Sequence, residues 1–129
     1  MVDIVANHMG NTNTDYHQNN PFNESSHYHD WCEISSSDFS SHNQHNIENC
    51  RLAKLADLKQ EDSWVRSTLK AWIKGLIKVY KIDGLRIDTV PEVPKSFWAE
   101  FTKESGVYTV GEVFDGDMGY VSGLSLIHI

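Results

Sequence analysis

Three short stretches of this chain set chemically active side chains among apolar neighbours. In "DGLRIDTV" (83–90), Arg86 and Asp88 interrupt Leu85, Ile87 and Val90. In "MVDIVANH" (1–8), Asn7 and His8 close an apolar run, and in "VYTVGEVF" (107–114) Glu112 does the same. A buried strand has no use for a carboxylate unless an ion pair neutralises it or a reaction employs it. Two carboxylates on neighbouring strands, Asp88 and Glu112, are the minimum set for glycoside hydrolysis. One attacks the anomeric carbon, and the other protonates the departing oxygen and later activates water. Arg86, two residues before Asp88, points to the same side of its strand. A fixed cation there favours the charged carboxylate that a nucleophile requires. The competing reading is an Arg86–Asp88 pair that only neutralises two buried charges.

These side chains need strands to carry them. Residues 1–6 are apolar apart from Asp3 and read as a strand. From Gly10 to Ala56 the composition shifts to Asn, Ser, His and Asp with little periodicity, which reads as a long irregular excursion. So long an excursion is functional or a small subdomain. Asp62 and Ser63 then offer helix-capping chemistry to "WVRSTLKAWIKGLIKVY". Val65, Leu69, Trp72, Ile73, Leu76 and Tyr80 fall on one stripe of that helix. Gly84 opens a strand over 85–90, and Pro94 opens a second helix carrying Phe97, Trp98 and Phe101, which Gly106 ends. A third strand covers 107–114. Strands alternating with helices imply a parallel α/β sheet. In parallel α/β barrels, reacting groups gather at the C-terminal ends of the strands. All three strands here carry their polar residues at that end.

The chain has 129 residues, and its 40% hydrophobic and 11% aromatic content is that of a globular sequence. A formal charge of −7 argues against a nucleic-acid partner. There is no run of about twenty apolar residues to cross a membrane, and no signal peptide is visible. An opening in mid-strand is expected of an internal piece of a longer protein, and residues 121–129, with no helix signal, are expected to be a truncated or non-native tail. Cys32 and Cys50 permit one disulfide, which would contribute about 3 kcal/mol for a loop of this length, or two free thiols. His27, His29, His42 and His45 lie near these cysteines, but their spacing fits no familiar zinc pattern. Trp64, Trp72 and Trp98 are expected to pack helices onto the sheet. Tyr28 and Trp31, in the polar stretch, have no assigned role.

"DIVANH" (3–8), "GLRIDTV" (84–90) and "GEVFDGD" (111–117) resemble, in order, the first three signature regions of the α-amylase family of glycoside hydrolases. "LADL" (55–58) resembles a further signature near the end of that family's inserted domain, and with the cysteine loop the match is nearest the fungal-type secreted α-amylases. The resemblance runs from Met1 to about Tyr120. It implies a partial (β/α)8 TIM barrel, with residues 1–9 as a barrel strand, 10–56 as an inserted subdomain and 57–120 as helix–strand–helix–strand. It implies Asp88 as nucleophile and Glu112 as general acid/base. Arg86 would stand beside the nucleophile, His8 would contact the sugar at the cleaved bond, and Asp115 and Gly116 would lie toward the leaving group. Calcium is implied between barrel and subdomain, on Asn7, Asp57 and the backbone carbonyls of Glu48 and Glu92. Such oxygen ligands suit a hard cation.

The implied parent is a secreted, monomeric enzyme acting on starch or another α-glucan. Pro91 and Glu92 depart from the family, which often has Lys-His there and uses it to contact sugar on the leaving-group side. A third family acid belongs to a later strand, so the 129-residue chain alone is expected to show no amylase activity. An α-glucosidase or glucan transferase of the same family is the first alternative, and a non-catalytic glucan-binding homologue is the second.

Overall fold

The computed structural model describes residues 1–125. Strand β1 (Val2–Ile4) leads into an excursion that holds β2 (His8–Met9), helices α1 (Ser36–Ser40) and α2 (Gln44–Asn49), and β3 (Ala56–Asp57). Then follow α3 (Ser63–Tyr80), β4 (Gly84–Ile87), α4 (Lys95–Ser105), β5 (Tyr108–Gly111) and α5 (Met118–Ser125). Strands β1, β4 and β5 form one parallel sheet in that spatial order. The expected alternation of strand and helix is present, as a mixed α/β arrangement.

Alternation along the strands sorts the residues. Leu85 and Ile87 are buried under α3 and α4, where Val65, Leu69, Ile73, Phe97, Trp98 and Phe101 complete the core. Asp3 and Arg86 occupy paired positions on the opposite side, with Val110 beside them. Asp62 caps α3 by accepting from the backbone N–H groups of Trp64 (2.9 Å) and Val65 (3.0 Å). Gly106 ends α4 at φ 67°, a left-handed conformation suited to glycine.

Several expectations need correction. The third strand is shorter than 107–114 and spans only Tyr108–Gly111. The excursion is not simply irregular: α1 and α2 are too short for a periodic pattern to register. Its ends are drawn together where β2 pairs antiparallel with β3, His8 opposite Asp57. Cys32 and Cys50 form a disulfide across it.

The stretch after β5 is helical. Asp117 starts α5 by accepting from the Tyr120 N–H (2.9 Å), and Leu124 is buried. Gly119, Gly123 and the serines of this helix are weak helix formers, which hides it in the sequence. The expected tail at 121–129 is therefore helical through Ser125, and 126–129 lie outside the described residues.

Of the tryptophans, only Trp98 is fully buried, donating to the Val90 carbonyl at 2.9 Å. Trp64 is 46% exposed and stacks on His27 of the excursion, with centroids 4.3 Å apart. Trp72 is 39% exposed and Tyr80 71%, so the apolar stripe of α3 is wider than the face this sheet covers. Tyr28 is buried against Tyr16, whereas Trp31 is exposed beneath the Arg51 guanidinium.

Candidate active site

The site is built where β1, β4 and β5 end. The ladder continues one residue past the strands, because Asp88 N–H donates to the Ile4 carbonyl (2.9 Å) and Glu112 N–H to the Ile87 carbonyl (2.7 Å). Ile87 stands opposite Gly111, so the next residues of the two strands, Asp88 and Glu112, come abreast. Gly111 is required just before Glu112. A Cβ there would lie 2.6 Å from the Val90 side chain.

Arg86 holds the acids together. Its Nη1 contacts Asp88 Oδ1 (3.0 Å) and both oxygens of Asp3 (2.8 and 2.9 Å), while its Nη2 contacts Glu112 Oε1 at 2.9 Å. Both carboxylates therefore face one side of the sheet and share one cation. The hydrogen bonds to Asp3 and then Asp88 raise the guanidinium's pKa. Asp3 is a site residue that strand reading passed over. Its only local signal is an acid within an apolar run, and its pairing in register with Arg86 is visible only in the fold. Thr89 adopts φ 51°, an uncommon conformation for a β-branched residue. Its N–H lies 3.4 Å from Glu112 Oε2.

Beside Glu112 lies a cavity of about 490 Å³, lined by Thr89, Glu92, Glu112, Phe114, Asp115 and Tyr120 with residues of the excursion. Phe114 is 98% exposed at its edge. Asp115 is not free: its Oδ1 accepts from Asp117 N–H (2.7 Å) and its Oδ2 pairs with His42 Nε2 (2.8 Å). The N–H of Asp117 and then His42 lower its pKa. His42 also stacks on Tyr120, whose hydroxyl donates to Gln44. These ties between excursion and α5 join residues 73 to 78 positions apart, which no local pattern reveals. Gly116 is exposed, and nothing approaches the space its side chain would fill.

His8 stands half-buried in β2, just past the end of β1, its pKa lowered by burial against an opposing effect of the Asp88 charge. Asn7 beside it is fully buried. The Asn7 amide Nδ2 contacts His8 Nδ1 (3.2 Å), and its other amide atom lies 3.1 Å from both Asp57 Oδ1 and the Glu92 carbonyl oxygen. With oxygen at that position, three oxygens meet with no donor between them. Turning the amide over would place an NH2 there instead.

Burial pushes Asp57 up to about 6 and Glu92 up to about 7, and the charges of Asp88, Glu112 and Asp57 add to the second shift. Glu92 Oε2 and Thr89 Oγ1 are buried without a hydrogen-bond partner. The Glu48 side chain accepts from Gln44 at 2.7 Å. Among the described residues, no cluster of three or more His, Cys, Asp or Glu side chains could hold a metal. With the Asn7 amide oxygen inward, the converging groups would be an amide, one carboxylate and a backbone carbonyl, a donor set for a hard cation. His27, His29 and His42 go to separate partners, Trp64, Asp57 and Asp115.

No family model matches the chain. "Alpha-amylase 1" of Lipomyces kononenkoae is 45% identical over 128 residues, covering 93% of this chain and 20% of that protein. The structure of an α-amylase from Malbranchea cinnamomea superposes with TM-score 0.86 at 39% identity, over 98% of this chain and 27% of that one. The chain belongs to the α-amylase family. A second solved structure, the α-amylase of Geobacillus thermoleovorans complexed with acarbose, matches with TM-score 0.83 at 34% identity, over 98% of this chain and 28% of that one. The chain thus spans between a fifth and under a third of these proteins' lengths.

Proposed function

We propose that this chain supplies the catalytic acids of a secreted, endo-acting, retaining α-amylase that hydrolyses α-1,4-glucosidic bonds in starch. The observation that carries this reading is the pair of carboxylates, Asp88 and Glu112, abreast on adjacent parallel strands and bridged by Arg86. Neighbouring strands lie about 4.8 Å apart. That spacing favours the roughly 5–5.5 Å carboxylate separation of retaining enzymes over the wider one that accommodates water.

In the first half-reaction, Asp88 Oδ bonds to the anomeric carbon as the glycosidic C–O bond breaks, and Glu112 gives its proton to the departing oxygen. In the second, Glu112 takes a proton from water, whose oxygen bonds to the anomeric carbon and releases Asp88. Arg86 orients both acids, and His8 contacts the sugar at the cleaved bond. The strands are read as the third to fifth of a (β/α)8 barrel, with 10–56 as its inserted subdomain and 57–120 as barrel. Asp115 and Gly116 belong to the leaving-group side.

Asn7, Asp57 and the carbonyls of Glu92 and Glu48 are assigned to calcium, the last on resemblance alone. With the Asn7 amide oxygen turned toward Asp57 Oδ1 and the Glu92 carbonyl, the three would offer the oxygen ligands a hard cation takes. When bound, the ion supplies structural bracing between excursion and strand ends. The acarbose held by the Geobacillus protein supports an α-glucan-like ligand. In the full-length protein, Asp88→Asn should lower kcat at least about 10⁴-fold while starch binding stays within about twofold. A variant keeping a tenth of the turnover in a reducing-sugar assay would remove Asp88 from its role.

A further inference from the structure

The Asp57 carboxylate is divided between two tasks. Oδ1 lies 3.1 Å from the Asn7 amide, which is equally near the Glu92 carbonyl, while Oδ2 is held 2.7 Å from His29 Nδ1. The His29 ring is itself held at the far side, where Nε2 meets both oxygens of Glu61 at 2.8 and 3.0 Å. The two side chains at the inner contact are nearly closed to solvent, His29 at 7% and Asp57 at 2%, whereas Glu61 is 46% exposed. The backbone adds a second attachment. His29 N–H donates to the Asp57 carbonyl (3.1 Å), and Lys59 N–H to the His27 carbonyl (2.9 Å), flanking a bridge between Tyr28 and Leu58. The backbone pairing fixes where the ring is attached, and turning the ring would break its contacts with both Asp57 and Glu61.

We propose that His29, braced by Glu61, is a positioning residue that fixes which oxygen of Asp57 is presented to the cation. The inference rests on the calcium reading above. A carboxylate has two equivalent oxygens and a free torsion. A buried one without a partner on Oδ2 would rotate to share both oxygens or recruit another donor. The contact with Nδ1 occupies Oδ2 and leaves Oδ1 aimed at the Asn7 amide. Partners of this kind typically contribute 10–100-fold in metal affinity.

Calcium titration of the metal-stripped full-length protein by calorimetry tests this, with folding followed by circular dichroism. His29→Ala should weaken the calcium Kd about 10–100-fold. His29→Asn, whose amide nitrogen stands near the position of Nδ1, should recover most of that loss. A role confined to the fold would lower the melting temperature of both metal-free variants and leave Kd unchanged. A folded His29→Ala protein with the parent Kd overturns the proposal, as does an equal loss in the Asn variant. Should the alanine variant not fold, Glu61→Ala at the exposed end decides: a Kd weakened about threefold or more supports the brace, and an unchanged Kd overturns it. A parent protein that binds no calcium overturns both this inference and the calcium assignment, whereas tight binding indifferent to His29 overturns the inference alone.

Discussion

Arg86 is the residue on which the arrangement of acids turns. One guanidinium reaches Asp3, Asp88 and Glu112, using donors fixed in a plane. A lysine could keep a positive charge here but could not span three carboxylates from one rigid fork. Arg86→Lys in the full-length protein should therefore lower kcat about 10²-fold, with KM for starch changed far less, because it misplaces the reacting groups rather than the substrate. Equal kinetics for the two would mean that the charge alone matters. Arg86, Asp88 and Glu112 were legible in the sequence because each breaks an apolar pattern. Asp3 breaks one as well, but its role depends on a partner 83 positions away. His42 and Tyr120 gave no such signal, lying in stretches already polar or weakly patterned. Asp115 was read toward the substrate, and the pairing with His42 became visible only in three dimensions.

At the scale of elements, strands and long helices were readable and short ones were not. The eighteen-residue α3 carries a buried stripe and an aspartate cap, both local signals. Helix α1 has only five residues and rests on side-chain hydrogen bonds around Asp38, which is buried. Asp38 accepts from Ser35 Oγ (2.5 Å), from Ser35 N–H (2.8 Å) and from the amides of Asn43 and Asn46 (2.8 Å each). The Ser35 side chain and backbone, followed by Asn46, hold its pKa down at about 2, against 3.8 ordinarily. A depressed carboxylate stabilises the folded state fully above the unfolded value and loses that contribution as pH falls through the folded one. The turn between α1 and α2 should thus weaken between about pH 4 and pH 2. Amide hydrogen exchange at Asn43–Ile47 should quicken over that window, and Asp38→Asn should remove the pH dependence. Exchange indifferent to pH beyond the intrinsic amide rate would contradict it.

The whole chain presents a sheet whose described edges, β1 and β5, pair on one side only. Val2, Tyr108 and Val110 are exposed on its strands, Val5 just after β1 and Trp72 on α3 are exposed as well, and a cavity of about 480 Å³ lies beside Trp72 and Phe22. Exposed apolar surface and open strand edges call for covering polypeptide. In keeping with that need, the chain covers only 20–28% of the three relatives named above. The strand–helix alternation was written in local patterns, whereas what covers these faces was not. The most direct test therefore uses the full-length protein. It should be inactivated with a fluorinated α-glucosyl fluoride that forms the glycosyl–enzyme ester quickly and releases it slowly, then digested and analysed by mass spectrometry. The account predicts one added sugar, on the Asp88 carboxylate. A sugar attached to Glu112 or to any other residue, or turnover with no ester accumulating, would contradict it.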